Sequence, residues 1–398
     1  MSALEGIRIV DFSRFLPGAY ASWIAADLGA EVIRIEHPRE LAKHRRMFGG
    51  DCDADAAARR RARPTYVRNK RSLLIDPGHP RATKVIGKLV ERADILIEDY
   101  RPGVLDKMGY GYGEMAALNP RLIYCSVSFA GQTGPYSGRA GHDPAALALS
   151  GALSRLNGLP SPGFPGLQVA DVLAGSHATI AMLAALQARE RTGRGQHADI
   201  AMSDASMTLL MVTMGRHDDL DTLPPPDGAW HPKGGVWLCA DGLYLCTTDM
   251  EPLYWARFCE VIGRPDFIAL QQATERHAGM RQALEAIFLT RTRDQWFALF
   301  AAADTQAMPV LSIGEAMADV HNRARGMVVD VPFGEGDETV RQLGLPFHLS
   351  DTPPRSPKAA AMPGAETAAI LAEIGIDAAE RLQLERDGAF EDRRGERG

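Results

Sequence analysis

Three side chains in this 398-residue chain have the types and settings for acid–base or nucleophilic chemistry: His142, Asp171 and Glu251. His142 stands in Gly141-His142-Asp143, after a turn and ahead of an apolar helix expected from Ala145 to Leu153. Histidine carries the proton that is mobile near neutral pH, so His142 reads as a general base. It reads equally as an ordinary loop histidine, with Asp143 as the helix N-cap. Asp171 is expected to cap an alanine-rich helix running from Val172 to Arg191. The positive end of the helix dipole would hold it ionised there, able to act as base or nucleophile. Glu251, followed by Pro252, reads either as an acidic first-turn residue or as a carboxylate that orients a histidine.

A second feature is the segment Lys43–Arg71, which holds ten Lys and Arg, Arg59-Arg60-Arg61 among them. Such a run is ordinarily a solvated face. Its functional reading is a set of cations that hold a phosphorylated ligand. No Gly-x-Ser-x-Gly elbow, Walker loop or His-Glu-x-x-His motif is present, which removes the commonest competing chemistries. The five cysteines are odd in number, lack C-x-x-C spacing and have no companion histidines. Neither a zinc site nor a disulfide framework is expected, and no metal is assigned.

These residues need elements to position them. Residues 7–12 form a short β-branched run, and Leu16-Pro17-Gly18 leads into a helix ending at Gly29. Strand character resumes at 31–36, and further strands are expected at 72–76, 94–98 and 122–128 with helices between. Strands alternating with helices imply an α/β fold with a mainly parallel sheet covered on both faces. Ligands of such sheets sit at the carboxyl ends of the strands. The first strand lacks a following G-x-G-x-x-G, reading Ser13-Arg14-Phe15-Leu16-Pro17-Gly18 instead, which disfavours a nicotinamide or flavin enzyme.

The length suggests two or three domains. We expect a large α/β domain over 1–201 completed by 345–398, and a linker over 202–231. A smaller α+β domain over 232–320 and a return linker over 321–344 follow. With 45% hydrophobic and 24% charged residues and a net charge of −6, the chain lacks the basic excess of a nucleic-acid binder. No signal peptide is read at the N-terminus, and no stretch is expected to be apolar enough to span a membrane. A cytoplasmic location is the expectation.

The chain also carries Leu4-Glu-Gly-Ile-Arg-Ile-Val through Leu28-Gly-Ala-Glu-Val-Ile-Arg-Ile-Glu36, Asn69-Lys-Arg-Ser72, Tyr100-Arg-Pro-Gly-Val104, Asn119-Pro-Arg-Leu-Ile-Tyr124, Gly131-Gln-Thr-Gly-Pro135 and Gly193-Arg-Gly-Gln196. Together these segments resemble the family III CoA-transferase superfamily (CaiB/BaiF-like), closest in motif to its α-methylacyl-CoA racemase branch. Gly141-His142-Asp143, Asp171 and Met250-Glu251-Pro252 fill the three positions of the racemase branch. The chain departs from that branch after Asp143, where Pro144-Ala-Ala146 stands in place of an aliphatic-Asn-Tyr run.

The resemblance implies a Rossmann-like large domain with a smaller α+β domain, in an interlocked homodimer acting on an acyl-CoA thioester. Coenzyme A would enter as part of the substrate, with no other cofactor required. Its contacts would involve His37, Arg71, Ser72, Ile75, Arg101, Lys107, Gly141 and Asp143. His142, oriented by Glu251, and Asp171 would serve as the two bases that invert the α-carbon of a 2-methylacyl-CoA. Backbone amides at the start of the Asp171 helix would steady the enolate, with Gly175 allowing close approach. In the alternative reading the protein is a CoA-transferase, and Asp171 carries the acyl group and then CoA as covalent adducts.

Overall fold

The computed structural model describes residues 1–42, 54–156, 162–221, 223, 234–334 and 337–391. Two compact units emerge: residues 1–154, 164–216 and 323–398 form the first, residues 155–163 and 217–322 the second.

The first unit is built on a six-stranded sheet. Its strands are β1 (Arg8–Asp11), β2 (Glu31–Glu36), β3 (Lys70–Leu74), β4 (Ile95–Glu98), β5 (Ile123–Ser128) and β6 (His197–Ala201). They lie in the order β3-β2-β1-β4-β5-β6, and every pairing is parallel. Successive side chains alternate between faces, so each strand feeds two cores. Val10, Leu73 and Leu96 pack with Ile86 and Ile370 on one side. Ile9, Ile97 and Cys125 pack with Ala25, Ala174 and Met182 on the other. Because both faces are covered, β4 and β5 are buried along their whole length, and they read as apolar runs rather than alternating ones. The order reverses between β1 and β4, which places the natural ligand crevice beyond the carboxyl ends of those two strands.

The five expected strands are present within a few residues of their predicted bounds, and β6 is an addition. The helix Val169–Thr192 is 24 residues long and stops where Gly193 turns left-handed at φ 69°, a conformation glycine adopts without penalty. Contrary to the sequence expectation, this helix is long and apolar enough to cross a bilayer. Its apolarity has another use here, since Ala170, Ala174, Ala178 and Met182 are buried in the core beside the sheet. A Cβ at Gly175 would lie 2.8 Å from the Pro17 carbonyl oxygen and from the Tyr20 ring. Gly175 therefore lets this helix pack close to the helix Leu16–Asp27.

The segment expected as a return linker, 321–344, instead carries an antiparallel hairpin, β10 (Val328–Pro332) with β11 (Thr339–Leu343), within the first unit. The helix Met202–Met207 likewise belongs to that unit rather than to a linker. The hairpin is tied down by a buried ion pair. The Arg68 guanidinium donates to Asp27 at 2.6 Å, to Gln342 Oε1 at 3.0 Å and to the Leu343 carbonyl at 2.6 Å. Asp27 also accepts from Trp23 Nε1 at 2.9 Å and Asn69 Nδ2 at 2.7 Å. Ranges this distant in sequence cannot be paired by inspection of a single chain.

The second unit has a three-stranded antiparallel sheet, β7 (Gly235–Leu238), β8 (Tyr244–Thr247) and β9 (Ala307–Pro309), in that order. The turn at Ala240-Asp241-Gly242 joins the first two strands, as the sequence suggests. Trp237, Trp255, Phe258, Phe288, Trp296 and Phe300 fill its core.

Removing the Arg68 side chain strands the buried Asp27 carboxylate. Arg68→Met should therefore lower unfolding stability by about 3–5 kcal/mol, measured by urea denaturation with the wild type as reference.

Candidate active site

The crevice beyond β1 and β4 is organised by a carboxylate that sequence reasoning did not single out. Asp99 follows β4, is buried, and accepts the backbone N–H of Arg14 at 2.8 Å and of Phe15 at 2.9 Å. It thereby satisfies donors in the turn that leads from β1 into the helix Leu16–Asp27. A Cβ at Gly18 would lie 2.6 Å from Ser13 Cβ and 3.2 Å from Asp99 Oδ2, so only glycine fits this close start. Arg14 lies 3.8 Å over the Tyr100 ring, with Nε 3.9 Å from Asp99 Oδ1. Phe15 then meets the His142 imidazole edge-on, with ring centroids 5.7 Å apart.

His142 is the N-cap residue of the helix Asp143–Leu149, and Asp143 is the first helical residue. The expected capping role of Asp143 is thus corrected. Its buried carboxylate reaches instead to the next helix, where Oδ2 accepts the backbone N–H of Asp171 at 3.0 Å. Oδ1 has no hydrogen-bond partner among the described residues. This one bond fixes the residue beside His142 against the turn that carries Asp171. A Cβ at Gly141 would approach the Phe129 ring to 2.3 Å, so glycine is required for the chain to reach His142 on this path.

Asp171 is also not an N-cap. Its helix begins at Val169 behind Gln168, which sets Asp171 in the first turn. Burial, then the neighbouring Asp143 and Asp99 carboxylates, push its carboxyl up to about 6. The dipole argument gave the opposite direction, and it fails because desolvation and like charge outweigh a helix terminus here. Asp99 is pushed up to about 6 and Glu98 to about 7, both chiefly by burial. Three carboxyl groups at one end of the sheet are therefore poised to exchange protons near neutral pH.

Below them, the Asp11 carboxylate accepts from Lys70 Nζ at 3.1 Å and from the Ser22 hydroxyl at 2.7 Å. Burial pulls Lys70 down to about 8, against the pull of Asp11. Asp11 gave a signal as a charge ending an apolar strand, whereas Lys70 gave none, lying ahead of the strand expected from residue 72.

The structure distributes the expected CoA contacts unevenly. His37 follows β2 and lies 3.5 Å from Asp76. Arg101 faces a small cavity of about 40 Å3 lined by Glu98, Tyr112, Ser126, Gln132 and His197, while Lys107 ends a short exposed helix. Ser72 is buried, bonded to Glu36 and to the Gly364 N–H, and Ile75 is fully buried in the core. Neither offers surface to a ligand. Arg71 opens β3 at the opposite, amino-terminal edge, in ion pairs with Glu31 and Glu373.

The basic segment is likewise largely spent on the fold: Arg59 pairs with Glu338, Arg61 with Glu36, Arg68 with Asp27 and Lys70 with Asp11. Lys43 and the cations up to Arg46 lie outside the described residues. Glu251 lies in the second unit as the exposed N-cap residue of the helix Pro252–Val261.

The protein is thus of the doubly wound α/β class, with raised carboxyls and a histidine gathered beyond the carboxyl ends of its strands. The family follows from comparison with known sequences: residues 4–367 match the model of CoA-transferase family III, and the chain belongs to that family. The chain is 30% identical to the succinyl-CoA–L-malate CoA-transferase beta subunit of Chloroflexus aurantiacus, covering 93% of this chain and 94% of the relative. It is 29% identical to the α-methylacyl-CoA racemase of Homo sapiens, covering 98% of each. A CAIB/BAIF family protein from Brucella suis superposes with a TM-score of 0.78 at 30% identity, over 94% of this chain and 99% of that one.

The raised carboxyl of Asp171 gives a stability prediction with a definite sign. Its folded value near 6 exceeds the ordinary 3.8, so the native state binds the proton more tightly and loses stability as pH rises between those values. Asp171→Asn removes that cost. It should stabilise the protein at pH 7.5 by about 1–2 kcal/mol after solvent screening. The gain should vanish near pH 3.5, as read by denaturant titration at both pH values.

Proposed function

We propose that the protein is an acyl-CoA racemase or epimerase that inverts the α-carbon of a 2-methylacyl-CoA through an enolate. The observation that carries this reading is the Asp143–Asp171 hydrogen bond, which holds the His142 turn against the turn bearing Asp171. An α-proton next to a thioester is weakly acidic, so inversion needs a proton acceptor on one face and a donor on the other. His142 and Asp171 are assigned those tasks, exchanging roles with the direction of reaction. A carboxyl near 6 suits this work, because it gives up and regains a proton near neutral pH.

The Asp171 and Val172 amides are already bonded, to Asp143 and the Gln168 carbonyl, so the Val169 and Ala170 N–H groups are the assigned donors to the enolate oxygen. Gly175 has no part in that, since its close contacts are with Pro17 and Tyr20. CoA enters only as part of the substrate, and the reading requires no other cofactor.

A second reading is supported by the relatives named as CoA-transferases. In it, the Asp171 carboxylate attacks the thioester carbonyl and expels the CoA thiolate. The thiolate then attacks the aspartyl carbonyl, releasing the donor acid and leaving an aspartyl-CoA thioester for the acceptor acid.

One epimer of a 2-methylacyl-CoA incubated in D2O separates the readings. Racemisation predicts loss of chirality with one deuterium gained at the α-carbon and no need for an acceptor acid. His142→Ala and Asp171→Asn should each abolish it. Acceptor-dependent CoA exchange, with an adduct trapped on Asp171, would sink the racemase reading. In the direction where Asp171 is the base, kcat/KM should fall about tenfold per pH unit below about 6. Gly141→Ala, which drives a methyl group against Phe129, should displace His142 and reduce kcat roughly 10–100-fold.

A further inference from the structure

The amino-terminal edge of the large sheet carries a second charged cleft, at the opposite end of the strands from His142 and Asp171. Its volume is about 530 Å3, within the range of small-molecule sites. Arg8, Glu31 and Arg71 stand at the starts of β1, β2 and β3, Arg92 and Asp94 precede β4, and Arg355 comes from the segment after the β10–β11 hairpin.

The acids here are already committed. Glu31 accepts from Arg8 Nε at 3.1 Å and from Arg71 Nη1 at 2.7 Å. Asp94 accepts the Arg8 backbone N–H at 2.8 Å and Arg189 Nη2 at 2.8 Å. Arg71 is further held by both oxygens of Glu373 at 2.7 Å.

The cations are not so committed. Among the described residues, Arg8 uses only Nε of its guanidinium, and Arg92 makes a single donation, to the Glu373 carbonyl at 2.6 Å. The Arg355 side chain is exposed and makes no hydrogen bond or ion pair with a described residue; only its backbone N–H bonds, to the Asp27 carbonyl. Around the cleft five arginines thus meet three carboxylates, a local positive excess in a chain of net charge −6. Guanidinium forks match oxyanions in geometry as well as charge. A carboxylate presents two oxygens to such forks, whereas a phosphoryl group presents three.

We propose that this cleft is a binding site for a small phosphate-bearing anion, gripped by Arg8, Arg92 and Arg355. The site is independent of acyl-CoA turnover. A bound anion would tie the amino ends of the strands to the chain that returns after the hairpin, and so would stabilise the first unit.

The test uses the full chain, inorganic pyrophosphate as the probe, and titration calorimetry with thermal unfolding at constant ionic strength. Saturable binding and a rise in Tm are expected. Arg92→Gln and Arg355→Gln should each weaken binding roughly tenfold or more. Because Arg355 is exposed, its variant should fold as the wild type does. ATP in place of pyrophosphate distinguishes the sources: tighter binding of ATP marks a nucleotide phosphate, equal or weaker binding a free one. Unchanged affinity in both variants would overturn the proposal. So would a Tm rise reproduced by chloride at equal ionic strength.

Discussion

Two backbone N–H groups donating to one buried carboxylate set the geometry on which the rest of the site depends. Asp99 holds the Arg14 and Phe15 amides at the exit of β1. The helix Leu16–Asp27 can therefore start close against the end of β4, over Gly18. Phe15 is then set edge-on to His142, and the helix Val169–Thr192 packs against its neighbour through Gly175. A carboxylate used this way is costly to bury. Its cost is offset by two amide bonds and by Arg14, and it has a chemical consequence. The same charge that closes the turn contributes to holding a proton on Asp171.

Asp143 extends the logic to Asp171. A side chain at a helix start would ordinarily cap its own helix, yet this one accepts from the Asp171 amide of another. The bond positions the His142 turn and the Asp171 turn with a single contact, and the negative charge it brings adds to the rise at Asp171. Structure and proton affinity are thus set by the same two aspartates, so changing either alters both. The Asp11–Lys70 and Asp27–Arg68 pairs are placed further back. They serve the fold by linking strands and the hairpin to the first helix.

The cations show the opposite division of labour. A basic run in an acidic chain reads naturally as a ligand-binding surface, but five of its members are drawn into ion pairs within the first unit. Sequence proximity puts charges on one segment without saying which way each side chain faces. Arg71 and Ser72 are neighbours, yet one lines the amino-terminal edge while the other is buried against Glu36.

The sequence by itself determined the alternation of strands and helices, because apolar runs bounded by Gly and Pro are local signals. It also singled out Gly141-His142-Asp143 and Asp171 as candidates, whose residue types suit proton transfer or acyl capture. Their roles in the fold were misjudged. Whether an aspartate caps its own helix or another's depends on a neighbour 28 residues away, as Asp143 and Asp171 show. The importance of Asp99 and the hairpin at 328–343 was likewise invisible, since both rest on contacts between distant segments. Only the tertiary structure decided that Asp171 holds its proton up to about 6. Proton affinity is set by burial and by charges brought close in space, and neither is written at the residue itself.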